Sequence, residues 1–135
     1  MVFVLVSAVV FAQQNTLTVN ITGINSIKGN VYVYLYTSEE GFPIKISKAN
    51  SFTKAKVISN SVTVYLKNLK PGTYAVSVYQ DIDTNGKINQ NFLGIPREPV
   101  GVSNNVKGFM GPPKYEDAKF YLDTSKSIEI KLNEE

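Results

Sequence analysis

The 135-residue chain contains no histidine and no cysteine. Without histidine, Ser-His-Asp and Cys-His catalysis are excluded, and with both residues missing so is a zinc site of the usual nitrogen and sulfur type. Without cysteine there is no disulfide, no thiolate and no lipidated thiol. The chemistry still open is carboxylate pairs, a Ser-Lys dyad, tyrosine, or a metal held by oxygen. Also missing is any run of five or more basic residues: the lysines are scattered and the net charge is only +3, so no nucleic-acid footprint is expected. The length suits one domain with one sizeable core, and 43% apolar against 19% charged residues is a globular balance.

One hydrophobic run stands apart. Val2 to Ala12, "VFVLVSAVVFA", has the length of a signal-peptide apolar segment, is too short to span a bilayer, and ends Val10-Phe11-Ala12 before polar "QQNT". Residues 1–12 are therefore expected to be a leader cleaved before Gln13, leaving 13–135 as a single domain. Such a protein would be secreted or periplasmic, with no membrane insertion after removal of the leader. The competing reading is a Val-rich first strand. No Lys or Arg precedes the run, which points to a start upstream of Met1.

The remainder alternates with the period of strands. "TLTVNITGI" sets Leu17, Val19 and Ile21 against threonines and asparagine; "NVYVYLYT" sets Val31, Val33 and Leu35 against Tyr32, Tyr34 and Tyr36. "SIKGN" between them reads as a hairpin turn. The three tyrosines form either a binding platform or a face covered by another segment. Residues 38–50 give only a loop signal with one helical turn, and "SFTKAKVIS" reads as a lysine-guarded edge strand. "SVTVYLKNL", "GTYAVSVYQD", "AKFYLDT" and "KSIEIKL" complete about seven strands without a long helix. The expected fold is all-β: a single antiparallel Greek-key β-sandwich, transthyretin-like or immunoglobulin-like. "LKPGTY" places Tyr74 two residues after a Pro-Gly turn, under which it can pack, and resembles the L-x-P-G-x-Y element of transthyretin-like and carboxypeptidase-regulatory-like sandwiches.

The segment "QDIDTNGKINQNFLGIPREPVGVSNN" from Gln80 to Asn105 breaks this rhythm. Asp81, Asp83 and Asn85 alternate, Gly86 follows, and the carbonyl of Lys87 and side chain of Asn89 occupy the next ligand positions. This is the oxygen spacing of an EF-hand or dockerin calcium loop. Position twelve is Phe92, so the usual bidentate Glu is missing, and Glu98 or Asp117 would have to complete the shell from a distance. Calcium is the cofactor this spacing would take, with a dissociation constant on the order of 10⁻⁴–10⁻³ M. The alternative is a metal-free Asn-Gly hairpin turn.

Read through to Phe120, the segment resembles a family of small exported bacterial proteins catalogued as a domain of unknown function. That family carries H-D-x-N-x-N-G-x-L-D-x-N-x-x-G-x-P-x-E-x-x-G-x-S-N-N and then G-P-P-x-F-x-x-A. Matches include Asp81, Asn85, Gly86, Asn91, Gly94, Pro96, Glu98, Gly101, Ser103, Asn104 and Asn105, then Gly111, Pro112, Pro113 and Ala118. Gln80 stands where the family often has His, Asp83 for Asn, Asn89 for Asp, and Tyr115 for Phe. The resemblance implies export and a sandwich and carries no activity. Arg97, Glu98, Ser103, Asn104 and Asn105 are the expected ligand-binding residues, on the ground that polar loops at one end of a rigid sandwich carry recognition. A non-catalytic binding module for an envelope glycan or peptide is the first expectation, and a purely structural envelope protein the second. Ser103 with a lysine, or Asp81 with Glu98 as in a hydrolase, assembles no complete nucleophile, base and orienting group, so no catalytic residue is expected.

Overall fold

The computed structural model describes residues 2–4, 14–84, 98–108 and 111–132. Within them the chain forms β1 (Asn15–Thr22), β2 (Asn30–Tyr36), β3 (Ser51–Lys56), β4 (Val62–Leu69), β5 (Gly72–Asp81), β6 (Val100–Val102), β7 (Phe120–Leu122) and β8 (Lys126–Lys131). A four-residue helix α1 (Tyr115–Ala118) and 3-10 turns at Ile46–Lys48 and Ser103–Asn105 complete it. The fold is all-β in two sheets. One is ordered β4-β1-β8; the other β3-β2-β5-β6, with β7 also pairing β5. Most of the leader expected at residues 1–12 lies outside the described residues.

Alternation decides which faces meet. In β1, Leu17, Val19 and Ile21 are fully buried while the residues between them are half-buried. Val31, Val33 and Leu35 of β2, Val76 and Val78 of β5, Val64 and Leu66 of β4 and Ile130 of β8 join them in one core shared by both sheets. Each such side chain contributes roughly 1.5–3 kcal/mol by leaving water. Where β6 passes β8 a side chain would not fit: a Cβ on Gly101 would lie 2.8 Å from both Ile130 Cγ2 and the Lys131 carbonyl.

Three expectations need correction, and one open alternative is decided. Among the described residues the strands number eight, because β6 inside "PVGVSNN" is a three-residue element recognisable only by its pairing with Ser77–Tyr79. The sheets are not wholly antiparallel: β8 runs parallel to β1, Leu17 opposite Lys126 through Thr22 opposite Lys131. These two strands lie far apart along the chain, so no tight turn imposes opposite directions on them. Ser26 to Asn30 is not a hairpin, since β1 and β2 lie in different sheets. Its carbonyls turn inward instead, Ser26 O and Lys28 O accepting from Gln80 Nε2 at 2.6 and 2.9 Å. And the tyrosine face of β2 is no open platform: Tyr34 and Tyr36 are 4% and 1% exposed. Phe42, Ile46 and Ala49 from the weakly patterned loop, with Tyr115 of α1, pack onto it. The covered-face alternative is the one realised.

The sheet crossing from β4 to β5 is held as "LKPGTY" suggests. The Tyr74 hydroxyl donates to the Lys70 carbonyl at 2.6 Å, pinning the turn to the strand that follows. Among the described residues β3 pairs with β2 alone and carries exposed Lys54 and Lys56, the expected guarded edge.

Candidate functional site

The site is built where β5 ends. Pairing of β2 with β3 and β5 sets rows across the outer face: Phe52, Tyr34, Ser77; then Lys54, Tyr32, Tyr79; then Lys56, Asn30, Asp81. The middle of this grid is aromatic. Tyr32 stacks on Tyr79 with centroids 5.1 Å apart and planes 5° apart, and Tyr34 lies 5.8 Å from Tyr79 at the same small angle. Asp81 closes the last row, 1% exposed.

Three carboxylates meet there. Oxygens of Asp81, Asp83 and Glu98 all lie within 4.8 Å of one another. Asp81 and Glu98 are buried and Asp83 is exposed, so the cluster has a dry floor and a wet mouth. Glu98 arrives because β6 pairs with β5 just beyond it, and the Gln80 amide donates to the Pro99 carbonyl at 2.9 Å. Its Oε2 accepts from the Ile82 amide at 2.6 Å, fixing the carboxylate over the strand end. On the other side Gly29 has φ +67°, and a Cβ there would overlap the Asp81 carbonyl oxygen. That backbone contact requires glycine.

At an effective dielectric near 20, each pair of ionised carboxylates about 5 Å apart repels by about 3 kcal/mol. Amide donors such as Ile82 offset part of this. A hard divalent cation between the oxygens would relieve all three pairs at once, and oxygen is the donor calcium prefers. Positions one and three of the calcium spacing, Asp81 and Asp83, are thus together with Glu98, one of the two distant residues proposed to complete the shell. Asp117 is not among them; it sits in α1, where its carbonyl accepts from Asn104 Nδ2. Asn85, Lys87, Asn89 and Arg97, together with the Asn-Gly turn, lie outside the described residues.

The charge of Asp81 is felt by its aromatic neighbours. Burial pushes the Tyr79 phenol far above its ordinary range, and Tyr34, Tyr32 and Asp81 add to the rise. Burial likewise raises Tyr34, where the Asp81 charge is a smaller contribution, and pushes Tyr36 up to about 12.

Ser103, Asn104 and Asn105 are placed differently. Ser103 is fully buried; its hydroxyl donates to the Ala118 carbonyl at 2.6 Å and accepts from the Val76 amide at 3.0 Å. Asn104 donates to the Asp117 and Lys119 carbonyls, both at 3.1 Å. The Asn105 amide acts as a surrogate peptide against β8, donating to the Glu129 carbonyl at 3.1 Å and accepting from the Lys131 amide at 2.9 Å. Both asparagines have positive φ, 62° and 51°, a conformation this residue type tolerates. Of the five expected ligand-binding residues, Glu98 therefore joins the acidic cluster, and these three clasp β5, α1 and β8.

The sequence reading does not assign Gln80 or Gly29 to the site. The signal for Gln80 was available: it continues the inward series Val76, Val78 of β5, so a polar side chain there had to find partners in the interior. Gly29 carried no comparable mark.

No curated protein and no solved structure matches this chain. The profile of a family described as uncharacterized protein conserved in bacteria, DUF2141, matches residues 19–131, from within β1 to the end of β8. With strands of both sheets and the acidic cluster inside that span, the chain belongs to the DUF2141 family.

Proposed function

We propose that this chain is an exported, non-catalytic domain of the cell envelope in which Asp81, Asp83 and Glu98 hold a calcium ion that stabilises the fold. The observation carrying the reading is the arrival of Glu98 beside the two aspartates whose spacing in the sequence is that of a calcium loop. Export rests on the apolar run Val2 to Ala12 and the small residues that end it. The two sheets sharing one core, with Tyr74 clasping the crossing between them, are read as a sandwich of the transthyretin-like kind. Absence of catalysis is supported by composition and by Ser103, whose hydroxyl is held by two backbone groups rather than set beside a base. Recognition of an envelope glycan or peptide is the less supported reading, because Ser103, Asn104 and Asn105 engage the chain's own backbone and the tyrosine face is covered from within.

The test is thermal. For a dissociation constant of 10⁻⁴–10⁻³ M, adding 10 mM calcium to chelated protein stabilises the folded state by about 1.4–2.7 kcal/mol, a rise in Tm of roughly 5–10 °C. Replacing Asp81→Asn together with Glu98→Gln removes the shift and leaves the chelated Tm no lower than that of the parent by more than a few degrees. A parent protein whose Tm ignores calcium would overturn the reading.

A further inference from the structure

Among the described residues the two sheets present four edges, and three of them are guarded. β3 carries exposed Lys54 and Lys56. Opposite it stand β6 and β7, three residues each, with the Ser103 hydroxyl accepting from the Val76 amide in the gap between their pairings. β8 is engaged along its outer side by the Asn105 side chain, which holds the Glu129 carbonyl and the Lys131 amide. The fourth edge is β4, which among the described residues pairs with β1 alone. Its register is regular from Val62, opposite Ile21, to Leu66, opposite Leu17, and slips only beyond, where Asn68 takes φ 61°. The regular part, "VTVYL", has no charge, no proline and no glycine, and Tyr65 within it is 57% exposed. A bare edge of β-branched and aromatic residues is a template for a further strand, and proteins ordinarily blunt it.

We propose that β4 is a self-association edge, at which two copies of this chain pair antiparallel through Val62–Leu66 about a two-fold axis at Val64 and join their three-stranded sheets into one of six. Strand alternation limits the registers, because outward side chains must meet outward ones and inward must meet inward. With Val64 opposite its own copy, Thr63 faces the partner's Tyr65 and Val62 faces the partner's Leu66. The outward pairs are then aromatic with β-branched, a combination that stabilises sheets, and the inward pairs are apolar. Lys67 falls opposite the partner's Ser61. An axis shifted to Tyr65 runs the ladder into the irregular Asn68, and one at Lys67 sets like charges directly opposite. The edge is therefore complementary to itself over the stretch where it is regular, and this selects a second copy over an unrelated strand. One short strand pair is a small contact, so the dimer is a weak one, with a dissociation constant of about 10–100 μM. Nothing in this pairing depends on the calcium reading.

The experiment is sedimentation equilibrium of the full chain from about 1 μM to about 1 mM, with amide hydrogen exchange measured at both ends of that range. A monomer–dimer equilibrium is expected, with β4 amides gaining protection only at the high end. The double variant Thr63→Lys, Tyr65→Lys, altered at exposed positions, sets lysine opposite lysine twice in the dimer and should weaken it by at least about tenfold. Mixing it with the variant Thr63→Glu, Tyr65→Glu should restore a heterodimer. Because the parent has no cysteine, Thr63→Cys mixed with Tyr65→Cys reports the register without any change of charge: oxidation should join unlike chains in preference to like ones. A parent chain monomeric to about 1 mM overturns the proposal and leaves the edge to an extended segment of another protein. β4 amides already protected at about 1 μM overturn it too, assigning the cover to the chain itself. Dimers that ignore the lysine pair place the interface elsewhere, and cross-links that prefer like chains overturn the axis at Val64.

Discussion

Two polar regions from the same stretch of chain meet opposite fates. Ser103, Asn104 and Asn105 carry donors and acceptors together, and the structure pairs them with backbone carbonyls and amides of β5, α1 and β8. Asp81, Asp83 and Glu98 offer, when ionised, acceptors only, and they converge. A balanced set of polar groups can be satisfied by protein backbone and serves as a clasp. An acceptor-only set of like charges is satisfied best by something positive. The difference between these regions is thus one of hydrogen-bond inventory, although their composition looks alike in the sequence.

The largest effect is expected where the acidic region meets the backbone. Gly29→Ala places a Cβ against the Asp81 carbonyl at a φ of +67°, so the turn and the end of β5 must separate. Destabilisation of about 3 kcal/mol or more is expected in urea unfolding, with loss of the calcium shift, because Asp81 moves. Ser103→Ala breaks the other region. It strands the Val76 amide and the Ala118 carbonyl in the interior and should cost about 2–4 kcal/mol, the sum of two buried unsatisfied groups. Here the calcium shift should survive intact. If Ser103→Ala abolished that shift as well, the two regions would be one cooperative unit and the comparison would fail.

The unequal visibility of these features in the sequence has physical causes. β1 is legible because one face is fully buried and the other is not, so Leu17, Val19 and Ile21 alternate without exception. The same logic read β2 correctly on its aliphatic face and left its tyrosine face undecided, since the cover comes from Phe42, Ile46 and Ala49 in a loop with no periodic signal of its own. β6 was missed because Val100–Val102 has no pattern long enough to detect and owes its conformation to β5. The false hairpin at Ser26 had ordinary turn chemistry; only the distant Gln80 decides where its carbonyls point. In the site, the spacing of Asp81 and Asp83 was readable, Glu98 was a named candidate, and its approach to them depends on pairing between β5 and β6 that sequence spacing does not encode.

The smallest effect links the acidic region to the aromatic grid beside it. A phenol whose pKa is raised by burial stays protonated in the folded state while its unfolded counterpart ionises near 10. Its contribution to stability is therefore complete below pH 10 and is lost as pH climbs from there toward the folded value, which for Tyr36 is about 12 and for Tyr79 higher still. Alkaline unfolding should steepen above pH 10, and Tyr79→Phe should flatten that limb while changing neutral stability by no more than about 1 kcal/mol. Asp81 sharpens the test, because its negative charge contributes to holding Tyr34 and Tyr79 protonated. A cation bound to its carboxylate opposes that contribution, so calcium should move the spectrophotometric tyrosine titration of the folded protein to lower pH. In the Asp81→Asn variant the titration should already be displaced downward and calcium should leave it there. A titration that calcium shifts equally in both proteins would place the ion somewhere other than beside Asp81.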